Sequence, residues 1–462
     1  MAAGLPVKTL DNLRAHFLED KKNHLALNSC VKYGPEEILH CRKNNERVSH
    51  IFNHKVPEVK PVTNQKSSGR CWIFALLNVI RQQSQCIFNV EELEFSQTHL
   101  FFFDKIERSH FLLKTYADLA KVGEELDGRL LMFLLSNPLE DGGQWSMLVN
   151  LVEKYGIMPK GCFSDAYSST NSRAFVLMLN NKLREFCYRL KEMVVAGKSD
   201  VYIDGKIDSM MQEIYRASAI CLGLPPTTFT WEYYDKDKKY HCLKDISPYT
   251  FYHKHIKPVF NLEDKICLVN DPRPKHQFGK VYTVDYLNNM VAGRPVVYIN
   301  QPIEVLRTAA IRSLKNDEPV WFGCDVGKNL VNKKGAMDLS VHDHDLVFGF
   351  SMLGLSKGER LLAGATMMTH AMVFSGVHIE EESEERKEEI SEAPCKVSRW
   401  RVENSWGEES GNKGYYVMTD EWFDEHLLEV VVDKKYLSDD VIELLKQDPI
   451  VLPAWDPMGS LA

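Results

Sequence analysis

The chain has 462 residues, 44% of them hydrophobic and 26% charged, which allows two or three cores because single cores stop growing beyond about 250–300 residues. Basic residues number 56 against 64 acidic ones, a net charge of −8 with no long basic run, so nucleic acid is not an expected partner. Eleven scattered cysteines, never paired as C-x-x-C, point away from a zinc module or a disulfide framework and towards a reducing, cytoplasmic compartment.

In chain order, residues 1–50 alternate short helical pieces with polar links, and nothing among them reads as an apolar leader or a membrane span. At 64–74, NQKSSGRCWIF passes from turn-forming residues into a helix at Cys71, with Ser67 or Ser68 available as the N-cap. Trp72, Ala75, Leu76, Val79 and Ile80 then recur at helical spacing. A second amphipathic helix follows Asp141-Gly142-Gly143, with Trp145, Leu148, Val149 and Val152 on one stripe and a stop at Gly156.

Residues 171–222 read as one or two longer helices, and 227–243 as a β-hairpin. Pro302–Lys315 reads as a helix with Pro302 in its first turn, and 319–326 as a buried strand. His342 and His344, in VHDHDLVF, are only two ligand types without a third, so the segment reads as a polar turn entering a buried strand, with no metal. A helix is expected near 438–447, followed by an extended apolar tail. Helices first and strands later indicate an α+β fold with a cleft between two lobes.

Two strand candidates, His370–His378 and Lys396–Asn404, flank a charged run at 379–394 that reads as a solvated loop. Antiparallel pairing across that run sets His378 opposite Lys396 and His370 opposite Asn404, close enough for their side chains to touch. Cys71 at a helix start gains from the helix dipole. Moving a thiol from pKa ~8.5 to ~4 takes roughly 6 kcal/mol, and a helix terminus supplies at most about 2. A reactive Cys71 therefore requires a cationic neighbour, and His370 oriented by Asn404 meets the requirement. Gln65, with the backbone N–H of Cys71, could hold an oxyanion, and Trp406 could shield the His–Asn bond.

In order and type, Gln65 to Cys71-Trp72, then DGGQW, a histidine at a strand start and ENSWG at 403–407 resemble the papain-like cysteine peptidases. That resemblance implies a two-lobed fold, with a helical lobe and a β-barrel-like lobe, enlarged by a helical insertion and by N- and C-terminal extensions. It implies Cys71 as nucleophile, His370 as acid/base, Asn404 as orienting residue, Gln65 as oxyanion donor and Gly143 as a contact to substrate backbone. Two departures stand out. Ser68 replaces the disulfide-forming cysteine of the secreted enzymes, and His370 lies about 300 residues after Cys71 where the smaller enzymes have ~130–150.

The expected division is therefore an N-terminal helical extension over 1–50, a helical lobe over 51–165 and an insertion over 166–262 carrying subunit contacts. A strand-rich lobe over 263–430 and a C-terminal arm over 431–462 complete it. The ring-forming branch of the family, which the chain fits most closely, implies a homohexamer. It also implies an arm lying in the cleft, with a carboxylate on Ala462 that pairs with a substrate's α-ammonium. The expected activity is aminopeptidase cleavage of peptides and small amides bearing a free amino group, with no cofactor.

Overall fold

The helix that begins at Cys71 runs to Phe88 and is buried on nearly every side. In the computed structural model, which describes residues 4–380 and 396–462, it is the element around which the helical lobe assembles. The long helix Gln97–Lys121 and the helix Trp145–Tyr155, which ends at Gly156 as its sequence suggests, pack beside it. Their apolar faces share one core with Trp72, Leu76, Ile80, Leu100, Leu148 and Val152. Each fully buried Leu, Ile or Phe contributes about 1.5–3 kcal/mol relative to exposure.

The insertion forms two helices, Arg173–Val195 and Asp200–Leu222, laid on the Gln97–Lys121 helix, and a two-stranded hairpin of Phe229–Tyr234 with Tyr240–Ile246. The second lobe is a twisted sheet. Its centre runs Lys265–Val269, Leu427–Asp433, Val320–Cys324, His370–Ile379, Val397–Glu403 and Tyr415–Thr419, each pair antiparallel.

Period-two alternation divides this sheet between two cores. Trp321, Ala371 and Val373 face the helical lobe, while Val320, Phe322, Met372 and Phe374 face the interior of the strand-rich lobe. The helix Ile303–Lys315 packs there too, with Pro302 as its N-cap, one position earlier than expected. The Trp321 indole N–H donates to the Trp72 carbonyl at 3.3 Å and joins the lobes beside Cys71.

The expected strand pair forms with a different register. Val373 lies opposite Glu403 and Phe374 opposite Val402; past a bulge, Gly376 meets Arg401 and His378 meets Arg399 rather than Lys396. His370 pairs on its other edge with Cys324. Continued to the end of the strand, this register sets Asn404 across from Met372. His370 is then its diagonal neighbour, and the offset of two residues keeps both side chains on one face. Of the charged run at 379–394, only Ile379 and Glu380 fall within the described residues.

Two local expectations fail. The Cys71 helix has Arg70 as its N-cap and no side-chain cap; the Ser68 hydroxyl instead donates to the Gln65 carbonyl at 2.6 Å. Residues His344–Phe348 form a short helix with exposed Leu346 and Phe348, not the start of a buried strand. Asp343 caps it through the Leu346 N–H at 2.9 Å, which makes the helix start cheaper than strand extension.

Candidate active site

Three short segments converge at the cleft. The loop Thr63–Gln65 zips onto Ser405–Gly407: Gln65 N–H donates to the Ser405 carbonyl at 2.8 Å, and Gly407 N–H to the Thr63 carbonyl at 3.0 Å. Gly407 has φ +83°, and a Cβ there would strike the Asn64 amide, so only glycine fits. The glutamine-to-cysteine motif and the asparagine-to-glycine motif, far apart in sequence, are thereby one unit.

Cys71 is buried at the first turn of its helix, with the Ala371 backbone N–H among the groups that favour its thiolate. The nucleophile candidate therefore sits beside the residue that follows His370. The His370 ring meets the Asn404 side-chain oxygen through Nε2 at 2.9 Å. With that oxygen accepting, the ring proton is on Nε2 and Nδ1 is the free base. The same oxygen accepts from the Ser405 N–H at 2.8 Å, which fixes the amide. Trp406 packs on the His370 ring at 4.9 Å between centroids.

Burial governs the ionisation of the pair. Dehydration pushes the Cys71 thiol up to about 11, against the pull of the backbone N–H groups of Ala371, Trp72 and Cys71. Dehydration likewise lowers His370 to about 4, against the Asn404 hydrogen bond. Burial thus disfavours the charged form of each group, the thiolate and the imidazolium. The expected depression of the thiol is opposed by the cost of removing water from both groups.

Gln65 is buried with its carbonyl oxygen accepting from Ser405 Oγ at 2.7 Å and its amide donating to the Ser68 carbonyl at 2.6 Å. One amide hydrogen remains for a ligand. Gly143 is differently engaged. Its N–H donates to the Ala462 oxygen at 3.2 Å and its carbonyl accepts from the Ala462 N–H at 3.3 Å, so both backbone groups expected to contact substrate hold the tail.

That tail has a short strand, Ile450–Leu452, parallel to Lys280–Val284, and then runs along the cleft. Gln144 donates to the Ser460 carbonyl at 2.6 Å and Ser460 Oγ to the Met368 carbonyl at 2.8 Å. Ala462 itself is 4% exposed. The adjacent glycines make the approach possible: a Cβ on Gly142 would collide with the Ala462 oxygen, and one on Gly143 would lie 2.5 Å from the Trp72 ring.

Sequence reasoning did not identify the charged groups behind the site. Arg70, fully buried, donates to Asp165 at 2.9 Å and to Ser68 Oγ at 3.0 Å. Asp141 meets Lys105 at 3.3 Å, Gly69 N–H at 3.2 Å and the Ser172 hydroxyl. Their charged partners, Asp165 and Lys105, lie tens of residues away, and no local pattern announces them. Among the described residues, no group of three or more His, Cys, Asp or Glu side chains is arranged to hold a metal ion. No described helix is long and apolar enough to cross a membrane.

The sequence model of the peptidase C1-like family matches residues 4–459. Bleomycin hydrolase of Mus musculus is 52% identical over 461 residues, covering 100% of this chain and 99% of that protein. Aminopeptidase C of Listeria monocytogenes serovar 1/2a is 37% identical over 462 residues, with 100% of each covered. The crystal structure of PepW from Lactobacillus rhamnosis superposes with a TM-score of 0.93 at 36% identity, covering 100% of both chains.

Proposed function

This chain belongs to the peptidase C1-like family, and we infer that it is a cysteine aminopeptidase that removes N-terminal residues through Cys71, His370 and Asn404. The single observation that carries the residue assignment is the buried contact of His370 Nε2 with Asn404 at 2.9 Å, on the strand against which the Cys71 helix packs. His370 Nδ1 takes the thiol proton as sulfur attacks the substrate carbonyl, and Asn404 holds the imidazolium that forms. Gln65 and the Cys71 backbone N–H stabilise the oxyanion. The imidazolium then protonates the departing amine, and water deprotonated by the same imidazole cleaves the thioester.

Exopeptidase action follows from the tail. Ala462 occupies Gly143 in the manner of a bound peptide, which closes the cleft to chain interiors. Its terminal carboxylate receives the α-ammonium of the substrate. By the same chemistry the protein hydrolyses the β-aminoalanine amide of bleomycin, the substrate named in its relatives. The family resemblance extends the reading to a cytoplasmic homohexamer, with contacts through the insertion, whose Val201 and Ile220 are exposed apolar side chains.

The test compares free and N-acetylated aminoacyl amides with the intact protein and with a chain lacking residues 457–462. Truncation is expected to reduce preference for the free amine by at least tenfold. Equal discrimination in both proteins would overturn the tail's role.

A further inference from the structure

Between the nucleophile loop and the tail stands one side chain that the mechanism leaves without a task. Asp141 is largely buried. Burial works against its charge, yet Lys105, Ser172 and the Gly69 N–H bring its carboxyl below the ordinary range. Its side chain holds Gly69, two residues before Cys71, at 3.2 Å, and a Cβ on Gly69 would lie 2.7 Å from the Asp141 Cβ. Its carbonyl accepts the indole N–H of Trp72, one residue after Cys71, at 2.6 Å. The residues that follow are Gly142, whose carbonyl accepts from Arg108 at 3.0 Å, and Gly143, which carries Ala462. Lys105 also donates to the carbonyl of Glu140, on the other side of Asp141.

Asp141 therefore grips the nucleophile from both sides while its own backbone leads into the seat of the tail. We propose that Asp141 is a positioning residue that fixes the span between the Cys71 sulfur and the Ala462 anchor, and so restricts each cleavage to one N-terminal residue. The proposal rests on the tail reading above. A bound substrate is held at two points, its ammonium at Ala462 and its carbonyl at Cys71. The distance between those points decides whether one residue or two fit between them. Reacting groups misplaced by about 1 Å lose on the order of a hundredfold in rate, so a loosened span should change which substrate is selected.

The experiment measures kcat/KM for aminoacyl and dipeptidyl fluorogenic amides in the full-length protein and in Asp141→Ala, Asp141→Asn and Ser172→Ala. In Asp141→Ala the ratio of one-residue to two-residue release is expected to fall about tenfold or more. Asp141→Asn keeps an acceptor for Gly69 and Ser172, and its ratio should fall less. Ser172→Ala, which removes one bond to the carboxylate, should lower the ratio about two- to threefold and decides the matter if Asp141→Ala does not fold. Equal losses on both substrates, with the ratio unchanged, would overturn the proposal. If tail truncation changes free-amine preference while these variants keep the ratio, only the role of Asp141 fails. If truncation has no effect, the tail reading itself fails.

Discussion

The two ends of the chain are built from similar apolar material and meet opposite fates. The N-terminal helices Val7–Glu19 and Lys21–Tyr33 bury no residue, and leave Leu25 71% and Val31 78% exposed. The C-terminal arm buries Leu452, Ala454, Met458 and Ala462 against the cleft. The helices satisfy their own backbone groups and need no host, whereas an extended arm must find donors and acceptors elsewhere. The cleft supplies them at Asp285, Gln144, Met368 and Gly143. An arm held this way lies against the candidate site, while the other end remains on the surface.

Perturbations near the C-terminal arm should therefore change chemistry, and those at the N-terminal end should not. The largest effect is expected for Cys71→Ala, with kcat reduced about 10⁴-fold or more and a thermal midpoint close to that of the parent. Turnover retained in that variant would remove the nucleophile. Asn404→Ala should cost roughly a hundredfold in kcat with little change in KM, because the imidazole loses its orienting acceptor before the transition state. A change confined to KM would count against that role.

The pH dependence is expected to separate buried from exposed behaviour. His370, lowered to about 4 by burial, must be neutral to accept the thiol proton. The acid limb of kcat/KM should thus lie nearer pH 4 than pH 6.5. The same shift carries a stability signature. The unfolded chain binds a proton at His370 near pH 6.5 and the folded chain only near 4, so this contribution is present above 6.5 and lost as pH falls through 4. It amounts to about 3 kcal/mol, read as the pH-dependent difference in stability between the parent and His370→Gln. The smallest effect belongs to deletion of residues 1–33, for which kcat/KM should stay within about twofold. A larger loss would mean that this end reaches the cleft in the assembled protein.

Much of the site could be read from residue types because each role has few chemical candidates. A thiol at a helix start requires a base, and the base requires an acceptor, which leads to Cys71, His370 and Asn404. At the His370 end the strands pair two residues away from the expected register, yet the His–Asn contact forms because side chains alternate with period two. The run VHDHDLVF forms a short helix rather than a strand because Asp343 acts as a cap, a role that alternation does not report. The backbone groups of Gly143, expected to contact substrate, hold Ala462 in this structure.

By itself the sequence determined the helix that presents Cys71, the pairing of the two strands and the candidates for the reacting groups, since these depend on local pattern and side-chain chemistry. Only the tertiary structure decided the register, the meeting of Asp141 with both Gly69 and the tail's seat, and the burial that works against charge on Cys71 and His370. Those depend on distance and on the removal of water, and both are set by what packs around a group rather than by its neighbours along the chain.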